Sequence, residues 1–271
     1  MLKISPEDRQ KKFLEKIAPY TEAINAGLGK EKRLLDNLSG NSRDAALARL
    51  NLADEMFNIV SHYVLECRVF QRICKKHNED LLGEARRALH KGIVYIENLV
   101  SPLVDVPFSD YEDKIAMLSG VSGERRYLVI RKMGLAIDLL KDLAGYSSKW
   151  RWVFVDFEGR LAASAKNIID MRNMVANLSP RSEEYEATVF HLRMAKKLLA
   201  QAAERYREKY ELSSQISEDF QQAINFLNAL KRLHILLNER SDAEEIKKTV
   251  EAWSNKLKED IRRKRGSPSV L

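Results

Sequence analysis

Residues 42–78 read SRDAALARLNLADEMFNIVSHYVLECRVFQRICKKHN. Within them Ala53, Met56, Val60, Tyr63, Cys67, Phe70 and Cys74 recur at spacings of three and four. Those spacings put all seven side chains on one stripe of an α-helix, in the narrow a/d form of a coiled-coil seam. A strand cannot carry this pattern, because its successive side chains alternate between two faces. A helix of this length rises about 50 Å, far beyond the mean of about 11–12 residues in compact domains. The stretch predicts long helices laid side by side.

The same theme continues in both directions. Leu82, Ala85, Leu89, Gly92, Ile96 and Leu99 repeat it until Ser101-Pro102 stops the pattern. Toward the N-terminus, Ser5-Pro6-Glu7-Asp8 reads as a helix start, with a capping serine and a proline in the first turn. Phe13, Leu14 and Ile17 follow, and Pro19 is expected to kink or end that helix. Gly27 and Gly29 are expected to bracket a turn before a short piece around Leu34, Leu35 and Leu38. Pro102–Ser109 (PLVDVPFS) is the clearest loop, and Ser109-Asp110-Tyr111-Glu112 reads as a capping box opening a short helix.

After Ser122-Gly123 the apolar arc widens to include Leu128, Met133, Leu135, Ala136, Ile137, Leu139, Leu140 and Leu143. A helix so apolar is expected to be central. Helices are predicted over 148–178, 182–212 and 217–239, with a last one opening at Ser241. Lys196 and His234 sit inside the seams of the second and third of these. The one strand-like alternation, Trp150–Phe154, is overrun by a continuing helical stripe. The expected fold is all-α, an elongated bundle of long antiparallel helices with coiled-coil-like heptad seams. Its expected regions are 1–100, a bundle at 109–265 and a disordered basic tail end at 266–271.

Composition agrees. Eleven glycines and six prolines in 271 residues are about half the usual share of roughly 12 %, too few breakers for a sandwich or propeller. An apolar content of 45 % can supply a core. The net charge is +7, of which residues 256–271 hold +4 through Lys256, Lys258, Arg262, Arg263, Lys264 and Arg265 against two acids. This is a near-neutral body with a basic tail. Cys67 and Cys74 lie about 10.5 Å apart along one helix, beyond disulfide reach. The first twenty residues hold no apolar run of secretory-signal length, and no stretch suits a transmembrane helix. The default expectation is a cytoplasmic protein, or a periplasmic or secreted one if the chain is a processed mature form.

Signatures of chemistry are sparse. Gly27-Leu28-Gly29-Lys30-Glu31 places Glu31 where a phosphate loop needs Ser or Thr, with no strand before it. None of His62, His77, His90, His191 and His234 has a glutamate three residues earlier, so the di-iron bundle feature is missing. Cys67, Cys74 and His77 could share a helix face, but the cysteines are too far apart for one zinc. No Gly-x-Ser-x-Gly occurs, and Glu183-Glu184 and Glu244-Glu245 sit in first helical turns, where they complement the dipole. Ala202–Tyr206 resembles a fragment of a tetratricopeptide helix, without the 34-residue period of that family. No catalytic, cofactor-binding or metal residue is predicted, and no cofactor is expected.

Two features stand above this background. Trp150, Phe154 and Phe157 fit the core stripe of their helix, but Trp152 and Val155 point away, toward the side of Gly159 and Ala162. A tryptophan beside small residues suggests a second helix packing there, from this chain or from a partner. The candidate protein-interaction residues are therefore Tyr146, Trp152, Val155 and Gly159. The second feature is the cation run Arg262, Arg263, Lys264 and Arg265, which suits weak contact with nucleic acid or an anionic surface, or a solvated helix end. The leading expectation is a non-enzymatic structural or assembly protein. It would bind helical proteins, or itself, through helix faces, as a scaffold, adaptor or subunit of a filament or filament sheath such as a bacterial flagellar sheath. The alternatives are a nucleic-acid-associated protein using the tail, a peptide receptor with a concave groove, and a helical enzyme or ligand-binding bundle. The last would need a cavity near Lys196, His234 or Tyr185, Tyr206 and Tyr210.

Overall fold

The structure is a computed structural model that describes residues 6–35, 38, 40, 42–145 and 150–266. Ten α-helices and no strand occur among the described residues, so the fold is all-α with bundle-like packing. The chain divides into two units, one of residues 1–100 and 113–154, the other of residues 101–112 and 155–271.

In the first unit α2 (Arg43–Cys74) packs against α1 (Pro6–Leu35), α3 (Glu79–Leu99) and α5 (Gly123–Ala144). Ser42 starts α2 by accepting the Ala45 amide at 3.1 Å, and Lys75 ends it in the left-handed region at φ 56°. Pairings of Phe13 with Phe70, Thr21 with Glu66, Gly27 with Ile59 and Lys30 with Glu55 run in opposite senses along α1 and α2. These two helices are therefore antiparallel. The core holds Leu50, Met56, Phe57, Ile59, Leu89, Ile93 and Ile96, all fully buried. Buried Glu31 is paired: it accepts from Lys91 Nζ at 2.8 Å and from the Tyr95 hydroxyl at 2.6 Å. Asp54 ties α2 to α5 through Lys132 at 2.8 Å and Arg125 at 3.3 Å.

α1 corrects two expectations. It runs unbroken through Pro19 and through Gly27 and Gly29. Pro19 and Glu15 face solvent, where the carbonyl deprived of its bond can reach water. Gly27 is a point of close approach instead of a turn, because a Cβ there would stand 2.9 Å from Ile59 Cδ1.

The second unit contains the remainder of α6 (Arg151–Asn167), α7 (Met171–Asn177), α8 (Tyr185–Lys209), α9 (Ser217–Leu236) and α10 (Arg240–Gly266). The helix expected over 148–178 is broken, with Ile168 and Ile169 buried in the gap and Asp170 capping α7 through the Arg172 amide at 3.1 Å. α8 passes into a π turn, Tyr210–Ser214, that ends at Gln215 with φ 47°. Contacts of Tyr206 with Phe226, Tyr210 with Phe220 and Lys196 with Glu239 make α8 and α9 antiparallel. Phe220 also meets Trp253 of α10 at 5.8 Å between ring centroids.

The proline loop is a strap packed into the second unit, while residues 113–154, grouped by the sequence with a bundle at 109–265, pack in the first. Ser109 does not cap a helix here; its hydroxyl donates to Asp110, and the short α4 (Glu112–Ala116) starts after a 3-10 turn.

Candidate protein-interaction surface

α6 carries three of the four predicted contact residues, and it separates them. Val155 is fully buried, and so is Ala162. Gly159 is buried beneath α8 and α9, where an added Cβ would meet a Tyr206 ring carbon at 2.6 Å and Phe226 Cζ at 3.1 Å. The second helix that the small residues call for thus comes from this chain, and Val155 and Gly159 are core positions unavailable to a partner. Trp152 is half-buried, with the Arg151 guanidinium 4.7 Å from its ring centroid. Tyr146 lies outside the described residues.

A different face is open. α5 buries Val129, Ile130, Met133, Ala136, Ile137 and Leu140, yet Leu128 and Leu135 are 43 % and 56 % exposed. They lie seven residues apart on one side of the helix, with exposed Arg131 between them. The arc that suggested a central helix is wider than the chain covers. Its uncovered edge is a short apolar stripe interrupted by charge.

The basic end belongs to a docked helix. Trp253 and Leu257 bury one side of α10, and the Tyr210 hydroxyl donates to Asp260 at 2.9 Å. Burial and the Asp260 carboxylate push Tyr210 up to about 12. Lys264 Nζ donates to the Gln215 carbonyl and stands 5.6 Å from the Tyr210 ring centroid, so this cation of the run is committed within the unit. Arg262 and Arg263 are exposed; the Arg265 side chain and residues 267–271 lie outside the described residues.

Sequence reasoning missed a buried polar cluster that binds the strap. Asn167, fully buried at the end of α6, donates from Nδ2 to the carbonyls of Ser101 at 2.6 Å and Leu103 at 2.9 Å. Lys166 Nζ, also buried, donates to the Val106 carbonyl at 3.3 Å and lies 5.7 Å from the Tyr111 ring centroid. Burial, with Arg232 nearby, lowers Lys166 to about 8. Arg232 of α9 pairs with Asp105 at 3.0 Å, and Arg172 of α7 pairs with Glu112. Between these anchors Val104 and Val106 are buried while Leu103 is exposed. Nothing in the run Ala-Ala-Ser-Ala-Lys-Asn at 162–167 announces such a role, because its partners are backbone carbonyls about sixty residues earlier.

The seam residues Lys196 and His234 meet on one carboxylate. Glu239 accepts Lys196 Nζ at 2.8 and 2.9 Å and stands 2.6 Å from His234 Nδ1. Burial alone would raise Glu239, but the Lys196 and His234 contacts outweigh it and hold its carboxyl below the usual range. Asp242 lies close enough for its carboxylate to complete a three-donor group. The Lys196 ammonium already occupies both oxygens of the central carboxylate, so the group reads as an ion-pair clamp at the α9–α10 corner. Tyr206 and Tyr210 are likewise packed, against Phe226 and Phe220.

These features define an all-α protein of two helical units. No described helix is long and apolar enough to cross a membrane. The chain belongs to the TP0443 family, whose model matches residues 9–261. No curated protein and no solved structure matches it.

Proposed function

We propose that this chain is a non-enzymatic structural or assembly protein that binds other proteins through exposed helix faces, as a scaffold, adaptor or subunit of a filament or sheath. The observation that carries the reading is the α5 edge, where Leu128 and Leu135 stand exposed one heptad apart beside Arg131. Single exposed leucines are ordinary, but two in heptad register on a helix whose other side is core offer a partner helix a ready seam. Engagement of Lys264 inside the second unit weakens the competing reading, in which the basic end grips nucleic acid.

The test is capture from nuclease-treated lysate with three baits: the full chain, a Leu128→Lys/Leu135→Lys variant, and a chain lacking residues 262–271. Both leucines are exposed, so the double variant should melt within about 0.5 kcal/mol of the parent. It should nonetheless lose a stoichiometric set of protein partners that the other two baits retain. Partners that depend on the tail would transfer the function to Arg262 and Arg263. Unchanged capture by the leucine variant would remove the α5 edge from it.

A further inference from the structure

At their shared corner α9 and the first turns of α10 leave a groove of about 510 Å³, lined by Lys231 and Ile235 of α9 and by Arg240, Ala243, Glu244 and Lys247 of α10. Spacing explains the lining: 231 and 235 are one turn apart, and 240, 243, 244 and 247 share one helix face. Its apolar part is buried Ala243 and Ile235, the latter 58 % exposed. Three cations stand beside it against one carboxylate, and that carboxylate, Glu244, is taken by Lys247 at 3.4 Å. Lys231 and Arg240 donate instead to the neutral amide oxygens of Asn228 and Asn238, each at 3.3 Å. Neither has a carboxylate partner among the described residues. Arg240 also opens α10, where the helix dipole disfavours a cation. The corner itself is fixed: Asn238 takes the left-handed region at φ 59°, the Glu239 amide donates to the His234 carbonyl at 2.9 Å, and Lys196 holds the Glu239 carboxylate. Two uncompensated positive charges therefore stand on a rigid frame beside an open apolar side chain.

We infer that this groove takes an acidic peptide segment of a partner protein, with carboxylates at Lys231 and Arg240 and one apolar side chain against Ile235 and Ala243. The inference rests on the protein-binding reading above and adds to it a second face and the chemistry of its occupant. Charge sets the sign of that occupant, since Lys231 and Arg240 gain partners that the chain does not give them. Openness sets its size. A small ligand is mostly enclosed by its site, whereas Ile235, Arg240, Glu244 and Lys247 are all exposed, which suits a chain laid along the groove. Glu244 among the cations disfavours a nucleic-acid backbone, whose charge is uniform, while a peptide can turn an uncharged residue toward it. The rigid corner keeps the ordering cost of binding low.

A displayed library of random short peptides is selected on the full chain, and the enriched peptides are titrated against the parent and three variants. These are Lys231→Glu/Arg240→Glu, the neutral Lys231→Gln/Arg240→Gln, and Leu128→Lys/Leu135→Lys. Lys231 is half-buried and Arg240 exposed, so the groove pairs should keep the parent's circular dichroism, and the neutral pair decides if the reversed one unfolds. The enriched peptides should carry acids around an apolar residue. Their affinity should fall about tenfold or more in the reversed pair, less in the neutral pair, and not at all in the leucine pair. A selection without an acidic pattern, or acidic peptides bound equally by parent and both groove pairs, overturns the inference. Peptides that depend on the leucine pair alone overturn it and leave the α5 edge standing. A labelled single-stranded oligonucleotide that the reversed pair no longer binds, with no peptide behaving likewise, overturns it in favour of nucleic acid. Groove-dependent acidic peptides alongside unchanged lysate capture by the leucine variant leave the groove standing and remove the α5 edge.

Discussion

Lys166 sits in an environment that its position in the sequence does not suggest. Folded, it holds its proton only to about pH 8, against an ordinary lysine value of 10.5. Below pH 8 both states are charged and the folded chain bears the full cost of burying an ammonium. Between about 8 and 10.5 the unfolded chain binds more protons, so stability climbs with pH, by about 3 kcal/mol over the whole interval. The tyrosines bound this window from above. Burial raises Tyr111 and Tyr206, and a raised acid loses its contribution as pH passes its unfolded value of 10.0. Urea unfolding of the parent between pH 8 and pH 10 should therefore show a rising stability that Lys166→Met abolishes. An equal rise in the variant would mean that Lys166 is not the titrating group. Charge in the sequence is visible, but its burial is decided by carbonyls elsewhere in the chain, which is why this site was illegible.

Elements were more legible than their joints. The seam through residues 42–78 specifies α2 almost to its ends because period, length and the Ser42 cap agree. Local signals alone suggest a kink or an end at Pro19 and a single helix through α6 and α7, because neither a breaker nor a stripe carries its surroundings. Pro19 is tolerated because its face is wet, while the α6–α7 break exists because Asn167 and Asp170 are used at its two sides. The small residues of α6 carried a true signal of helix packing, but not the identity of the packed helix. Gly159→Ala should cost about 1–3 kcal/mol in chemical unfolding, because the new methyl must displace the Tyr206 ring. Gly29→Ala, in open space on α1, should instead gain about 0.5–1 kcal/mol. Equal effects at the two sites would place Gly159 away from the α8–α9 core.

For the whole molecule, composition identified the all-α class, and the proline loop was visible as a break in the helical pattern. What the loop could not reveal is that the chain crosses between its two units three times, at 100/101, 112/113 and 154/155. Sequence favours domains that are continuous, and an excursion of twelve residues carries no mark of where it docks. Residues 155–271 alone lack the strap whose carbonyls Lys166 and Asn167 bond. Expressed alone, that fragment should melt broadly and at lower temperature than the same fragment with residues 101–112 attached through a flexible linker, as followed by circular dichroism. Identical melts would mean that the strap adds nothing to the second unit.

The crossings also impose a schedule on synthesis. Arg232 follows Glu112 by 120 residues, and at roughly 5–20 residues per second the ribosome needs on the order of ten seconds to supply it. Throughout that interval Val104 and Val106 are made but their seat is not. The growing chain passes through a stage in which this apolar segment has no seat of its own.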